Sequence, residues 1–325
     1  MHSVQGEPHA RRRREILREH PQIRSLYGHD VRTATITYAV VVAQLALACA
    51  LQHWSNIGSR WGTWWVIALV AYAVGAFMAK WCGVAIHESS HNLVYPTTRQ
   101  NKVFAMIANW PVLVPSGVPF RRYHMDHHAY MGIEGLDNDL PTRAEVTRVG
   151  TSALRKVLWL VFYVFFATLA RGFVKRPNRW ELANVALQLT VNVALVALVG
   201  WTAVGYLALS AFFGFGLHPV AGHFIHEHYL WKGRQETYSY YGPLNRLTLN
   251  LGYHTEHHDF MRVPSARLPQ LRAMAAEFYD PLTSHDSWAA VMWRFVRSPQ
   301  LGHHARISRT RETFARARAE MRGAS

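Results

Sequence analysis

Two stretches of the chain, residues 34–53 and 64–82, are almost continuously apolar. Each is close to the ~20 residues that a helix needs to cross a ~30 Å hydrocarbon core. Trp54, Trp61, Trp64 and Trp65 gather between them, as aromatic anchors do at a membrane interface. Half of the 325 residues are hydrophobic and lie in runs rather than evenly spread, which favours one membrane domain over two soluble ones. Three later runs occupy residues 157–170, 182–199 and 204–217. A shorter one, 103–120, is broken by Pro111, Pro115 and Pro119 and is expected to be interfacial or re-entrant.

The formal charge of +15 is carried mainly by arginine at the two ends and between the apolar runs. No nucleic-acid-binding signature accompanies it, so no nucleic-acid partner is expected; a basic cytoplasmic face of a membrane protein is. No signal peptide is visible, because the N-terminus is polar and basic (Arg11 to Arg14) and the first apolar run is late and long. Cys49 and Cys82 lie inside apolar runs and read as small buried hydrophobes without a disulfide. Residues 1–30 form a basic arm expected in solvent or on lipid headgroups, 31–298 the membrane domain, and 299–325 a basic tail with no visible chemistry.

Three histidine groups interrupt this pattern. His254, His257 and His258 (HTEHH) stand at i, i+3 and i+4, so their rings share one face of a helix. His124, His127 and His128 (HMDHH) repeat that spacing, and His87 and His91 (HESSH) form a related pair. Three such groups of nitrogen donors point to a metal, and imidazole suits iron, zinc, copper or nickel rather than magnesium or calcium. Eight clustered ligands exceed what one ion holds, so a two-metal centre is expected. The group His218, His223, His226 and His228 closes the last run and should supply a ninth ligand. His223 is the first choice because it falls where the helix should reach the surface, and His228 is the second. Glu88, Asp126, Glu227, Glu256 and Asp259 adjoin these residues and could fix imidazole tautomers. His2, His9, His20, His29, His53, His285, His303 and His304 read as ordinary solvated histidines.

Clusters that share a metal centre must lie on one side of the membrane, so an even number of crossings separates the second from the third. The run 157–170 carries Arg155 and Lys156 before it and Arg171, Lys175 and Arg176 after it, which marks it as the interfacial one. The expectation is an all-α integral membrane protein. Four transmembrane helices would carry a cytoplasmic helical cap holding the histidine-rich dimetal site. Two rivals exist. His87-Glu88-Ser-Ser-His91 matches HExxH, the zinc and general-base motif of a metalloprotease, but leaves two clusters without a purpose. A metal carrier is disfavoured because ligands on one face offer no route across the bilayer.

The HxxxH, HxxHH and HxxHH groups after apolar spans resemble the membrane fatty-acid desaturases and hydroxylases. More narrowly, EPHARRRREILREHPQIRSLYG, RYHMDHH, HPVAGHF, EHY, KGRQETYSYYGPLN and GYHTEHHDF resemble the sphingolipid Δ4-desaturases, over nearly the whole chain from about Glu7 to Ser298. The resemblance implies a mushroom-like four-span fold and a cytoplasmic centre of two iron ions. Its ligands would be the eight clustered histidines plus one near His223; zinc could replace iron on purification. It implies an O2-dependent desaturase that makes a trans Δ4 double bond in a dihydroceramide-type lipid, the tail held in an apolar tunnel. The alternatives are sphingolipid C4-hydroxylation, or action on acyl-lipids or alkanes. His226 stands where the family more often has a small residue, which leaves the ninth ligand open. Met1-His2 replaces the Met-Gly of N-myristoylation, so that modification is not expected. No GxGxxG or HPGG-type segment is present, so electrons must come from a separate donor, a cytochrome-b5-like protein or a ferredoxin. The arginine and alanine usage points to a bacterial source and an inner membrane, rather than the endoplasmic reticulum of a eukaryote.

Overall fold

The computed structural model describes residue 3, residues 7–57, 60–163 and 175–313, and residue 315. Met1, His2, residues 164–174 of the fourth apolar region and most of the last dozen residues lie outside the described residues. Among the described residues the chain is helical, with only isolated bridges pairing Ile133 with Arg309 and Tyr240 with His285.

Helix α1 (His9–Glu19) belongs to the arm, and α2 (Val31–Ile57) is the first long apolar helix. The second is built from α3 (Arg60–Val70), a wide π turn (Ala71–Gly75) and α4 (Ala76–Ser90). Next come α5 (Thr98–Ala108) and α6 (Gly117–Tyr130), then the short α7 (Arg143–Val149) and α8 (Ala153–Val161). The third long apolar helix, α9 (Arg179–Leu198), starts at an Asn178–Glu181 capping box, and α10 (Trp201–Phe215) follows it. After the short α11 (His223–His226), the third cluster sits on α12 (His254–Asp259), followed by α13 (Leu268–Met274), α14 (Ala276–Tyr279) and α15 (Trp288–Arg297).

Among the described residues, three helical stretches are long and apolar enough to cross a bilayer: Val31–Ile57, Thr63–Ser90 and Arg179–Leu198. Two bent pairs also pass by composition. Thr98–Val112 and Gly117–Tyr130 meet at 113°, whereas Trp201–Phe215 and Pro219–His226 meet at 43°. The sharp bend has a local cause. Pro111 and Pro115 remove backbone donors, Leu113 takes a left-handed φ of 67°, and the Asn109 amide donates to the Val114 carbonyl at 2.7 Å. Val42, Leu69, Val193, Leu198 and Trp201 point outward and are exposed, an apolar belt that suits lipid rather than water.

Inside that belt the helices approach at backbone distance. A Cβ on Gly214 of α10 would lie 2.6 Å from the Ala76 carbonyl oxygen. Small residues at a crossing are how helices pack where lipid removes the hydrophobic drive between them. Polar pairs add direction: Tyr206 donates to Gln44 at 3.1 Å, and Asn109 donates to Gln188 at 2.5 Å. This packing fixes the end of α4, from which the first histidine pair projects.

Several expectations are corrected here. The arm does not lie free in solvent: Ile16, Ile23 and Leu26 are buried against Phe260, Val263, Leu268 and Leu271. The three apolar residues meet a matching patch of the cap more than two hundred residues away, which no local pattern reveals. The segment after α15 is not idle either. Arg306 donates to Asp139 at 2.7 Å, and the buried Arg309 pairs with Glu236, strapping the segment over the loop at 131–140. Lys156 is no interfacial charge; it is buried and donates to the carbonyls of Phe295 and Ser298 at 2.9 and 2.7 Å and also to that of Leu301. Cys82 is buried, but Cys49 is exposed.

Substitution of Gly214 by valine is expected to force α10 off α4 and to cost about 1–3 kcal/mol. The thermal midpoint in detergent should fall clearly, while Leu189→Val on the exposed face should leave it nearly unchanged.

Candidate metal centre

Each cluster is delivered by a different support. His87 lies in the last turn of α4 and His91 is its C-cap. His124, His127 and His128 ride on α6 beyond the sharp bend, which turns them back over the end of α4. The third cluster sits on only six residues of helix, too short to be stable alone, and is held by the YSYYGPLN stretch. Ser239 and Tyr241 each donate to Glu256 at 2.6 Å, and Ser239 accepts from the Thr255 N–H at 3.0 Å. Asn245 clamps both strands of that loop, donating to the Tyr240 carbonyl at 2.7 Å and accepting from Gly252 at 2.8 Å.

Two groups of nitrogens result. His87, His91, His124, His128 and His257 offer one atom each, all within 4.8 Å of one another, and so do the buried His127, His228 and His258. In the first group Nε2 of His91 and of His124 are 2.8 Å apart, His124 and His128 3.0 Å, and His128 and His257 3.2 Å. In the second, Nε2 of His228 lies 3.1 Å from that of His127 and 2.9 Å from that of His254. Donors bound at ~2.0–2.1 Å to one ion are themselves roughly 3–4 Å apart, so both groups have the spacing of a coordination sphere. Nε2 of His258 is buried and has no hydrogen-bond partner in the protein, as a nitrogen reserved for a metal would be. The residues therefore fit two borderline metal ions.

The electrostatics agree. Burial pushes His228, His254, His257 and His258 well below the usual imidazole range, and neighbouring imidazoles push them further. Each is thus neutral, with a lone pair to offer. Behind the rings stand carboxylates. Asp137 accepts from His127 Nδ1 at 2.9 Å and is held by the Gly132 and Asp139 N–H groups at 2.8 and 2.9 Å. Glu227 lies 3.6 Å from His254 Nδ1, and Glu88 3.5 Å from His87 Nδ1. Asp126 faces away and pairs with Lys175. Asp137, ten residues past His127 in the acidic loop, was not among the expected tautomer-fixing carboxylates; sequence distance hides it.

The structure does not bring His223 into either group. Helix α10 ends at Phe215 and the chain turns again at His223–His226, so it is His228, past the second turn, that projects between His127 and His254. His223 instead contacts the Val220 carbonyl at 3.1 Å and Lys80 Nζ at 3.2 Å. Lys80 is seven residues before His87 on the same helix, about 10 Å back along its axis. His9, His285 and His303 are buried rather than solvated. Glu88 is fully engaged by Ser265, whose N–H and hydroxyl donate to it at 2.9 and 2.6 Å. A metalloprotease would need that carboxylate free to act on water.

The imidazoles of His124, His128, His228, His254, His257 and His258 gain protons on unfolding, because burial holds their folded pKa values below the ordinary ~6.5. The stability they contribute is therefore present above about pH 6.5 and is lost as pH falls below it. Metal content after desalting and the thermal midpoint should both drop between about pH 7.5 and 5.5, and flat values across that range would contradict buried neutral ligands.

Comparison with known proteins places this geometry. The model of the family described as fatty acid desaturase matches residues 62–289, and that described as sphingolipid Delta4-desaturase matches residues 2–32. A sphingolipid delta(4)-desaturase-like protein of Oryza sativa subsp. japonica is 42% identical over 309 residues, 94% of this chain and 92% of that one. The sphingolipid delta(4)-desaturase/C4-monooxygenase of Homo sapiens is 44% identical over 307 residues, covering 93% and 92%. The sphingolipid delta(4)-desaturase of Drosophila melanogaster is 40% identical over 313 residues, 95% of each chain.

Proposed function

We propose that this chain, which belongs to the sphingolipid Δ4-desaturases within the fatty acid desaturase family, introduces a trans Δ4 double bond into the sphingoid chain of a dihydroceramide-type lipid. The observation that carries the chemistry is the convergence of imidazoles from four separate segments, the end of α4, α6, the turn that carries His228, and α12, into two groups. We assign His87, His91, His124, His128 and His257 to one iron, and His127, His228, His254 and His258 to the other. Reduced iron in such a centre supplies the activation of O2 that removes hydrogen from an unactivated CH2 group. The protein's own residues position the lipid and keep water out. Phe120 stacks on His124 with ring centroids 5.0 Å apart and is itself partly exposed, an apolar approach for a lipid chain to the five-histidine group. The buried second group excludes water from the other side.

The topology that suits this reading has four spans: Val31–Ile57, Thr63–Ser90, Arg179–Leu198 and the gently bent pair from Trp201 to His226. The pair bent at 113° stays in the interface, because each of its arms is about 20 Å long, short of the hydrocarbon thickness. The cap of the domain of residues 31–298 then faces the cytoplasm, with Ile16, Ile23 and Leu26 of the arm docked on it. The net charge of +15 suits docking of an acidic electron donor, a cytochrome-b5-like protein or a ferredoxin. Hydroxylation at C4 is the second reading, favoured by the C4-monooxygenase activity in the name of the human relative.

Expression in a host without a Δ4-desaturase, with the donor supplied, should yield a dihydroceramide lighter by two hydrogens in lipid mass spectra. His257→Ala should abolish it. Gain of one oxygen instead would make the chain a hydroxylase, and unchanged sphingolipids from folded, iron-loaded protein would remove the substrate assignment.

A further inference from the structure

One imidazole beside the second group comes from none of the three clusters. His9 opens α1, where the Glu7 carboxylate accepts from its backbone N–H at 2.7 Å. Its ring is buried, with its centroid 5.0 Å from that of His258. Asp259, the residue after His258, accepts from His9 Nδ1 at 2.7 Å and is bound on both oxygens by Arg12 at 3.2 Å. A carboxylate on Nδ1 sets the tautomer and leaves the lone pair on Nε2. That Nε2 is buried without a hydrogen-bond partner, as is Nε2 of the adjacent His258.

His127 is built the same way, with Asp137 on Nδ1 and Nε2 turned to His228. Two carboxylate–imidazole pairs thus flank the second group, one from α6 and one from the arm. Donor numbers point in the same direction. The first group has five nitrogens in mutual range, the second has three, and His254 makes a fourth through its contact with His228.

We propose that His9 is a further imidazole of the second metal site, carried there by the N-terminal arm and aimed by Asp259. The ligand it serves is a borderline divalent cation, and the inference rests on the dimetal reading above. The arm is then part of the metal centre. The cap core that buries Ile16, Ile23 and Leu26 holds the arm in register, and the ion gives His9 its purpose.

The test is titration of the metal-stripped full-length protein in detergent with Co(II), whose visible absorption reports the number and kind of donors. His9→Ala and His9→Gln should each weaken one of the two sites by at least about 10-fold and change its cobalt spectrum. Arg12→Gln disturbs the other partner of Asp259 but removes no imidazole, and should keep both ions and the spectrum. Folding of every variant is read from elution volume and tryptophan fluorescence, and the glutamine variant serves if the alanine variant does not fold. Intact stoichiometry and spectrum in the folded His9 variant would overturn the proposal, and so would an Arg12→Gln protein that reproduces its losses. Intact protein that binds no cobalt would instead overturn the dimetal reading on which it rests.

Discussion

Neutral imidazoles brought nose to nose repel through their lone pairs unless a cation or a shared proton lies between them. This chain packs His91 against His124, His124 against His128, and His128 against His257 at 2.8 to 3.2 Å between nitrogens. The structure therefore depends on something holding three distant segments in an arrangement that they would not choose alone. Part of that work falls to the metal, and binding free energy of such ligands is folding free energy. The rest falls to the protein: a close crossing of α4 and α10, a sharp turn that folds α6 back, and a loop that clamps α12.

Each support answers a different physical problem. Helix α10 meets α4 by close backbone approach at Gly214 and α2 through the buried Tyr206–Gln44 pair, the kind of packing that serves where lipid removes the hydrophobic drive between helices. Helix α12 has too few residues to persist alone, so Ser239, Tyr241 and Asn245 supply the missing order through side-chain hydrogen bonds. Burial keeps the rings neutral, and carboxylates behind them fix which nitrogen points inward. The arm and the segment after α15 close over this assembly through Asp259, Asp139 and Glu236.

Much of this is written in local sequence. The i, i+3, i+4 spacing alone sets His124, His127 and His128 on one face of a helix, and the apolar lengths alone mark the long helices. The prolines between 111 and 119 announce the bend. What the sequence hides is whatever depends on where the chain goes after a break. His228 rather than His223 reaches the centre because the chain turns twice after Phe215, and helical phase no longer carries across those turns. Asp137 and His9 meet their partners through tertiary folding, over 10 and 250 residues. Lys156 and Arg309 read as surface charges because periodicity cannot tell a solvated cation from one buried against carbonyls or a carboxylate.

The central claim is that the nine histidines form two separate sites, divided between His257 on one side and His258 on the other. The most direct test is an ion count on protein reconstituted anaerobically with Fe(II), intact and with each of these residues replaced by alanine. About two irons per chain are predicted for the intact protein, each variant losing a different one, distinguishable by Mössbauer spectroscopy. An intact chain that saturates with a single ion, or variants that lose the same one, would contradict it.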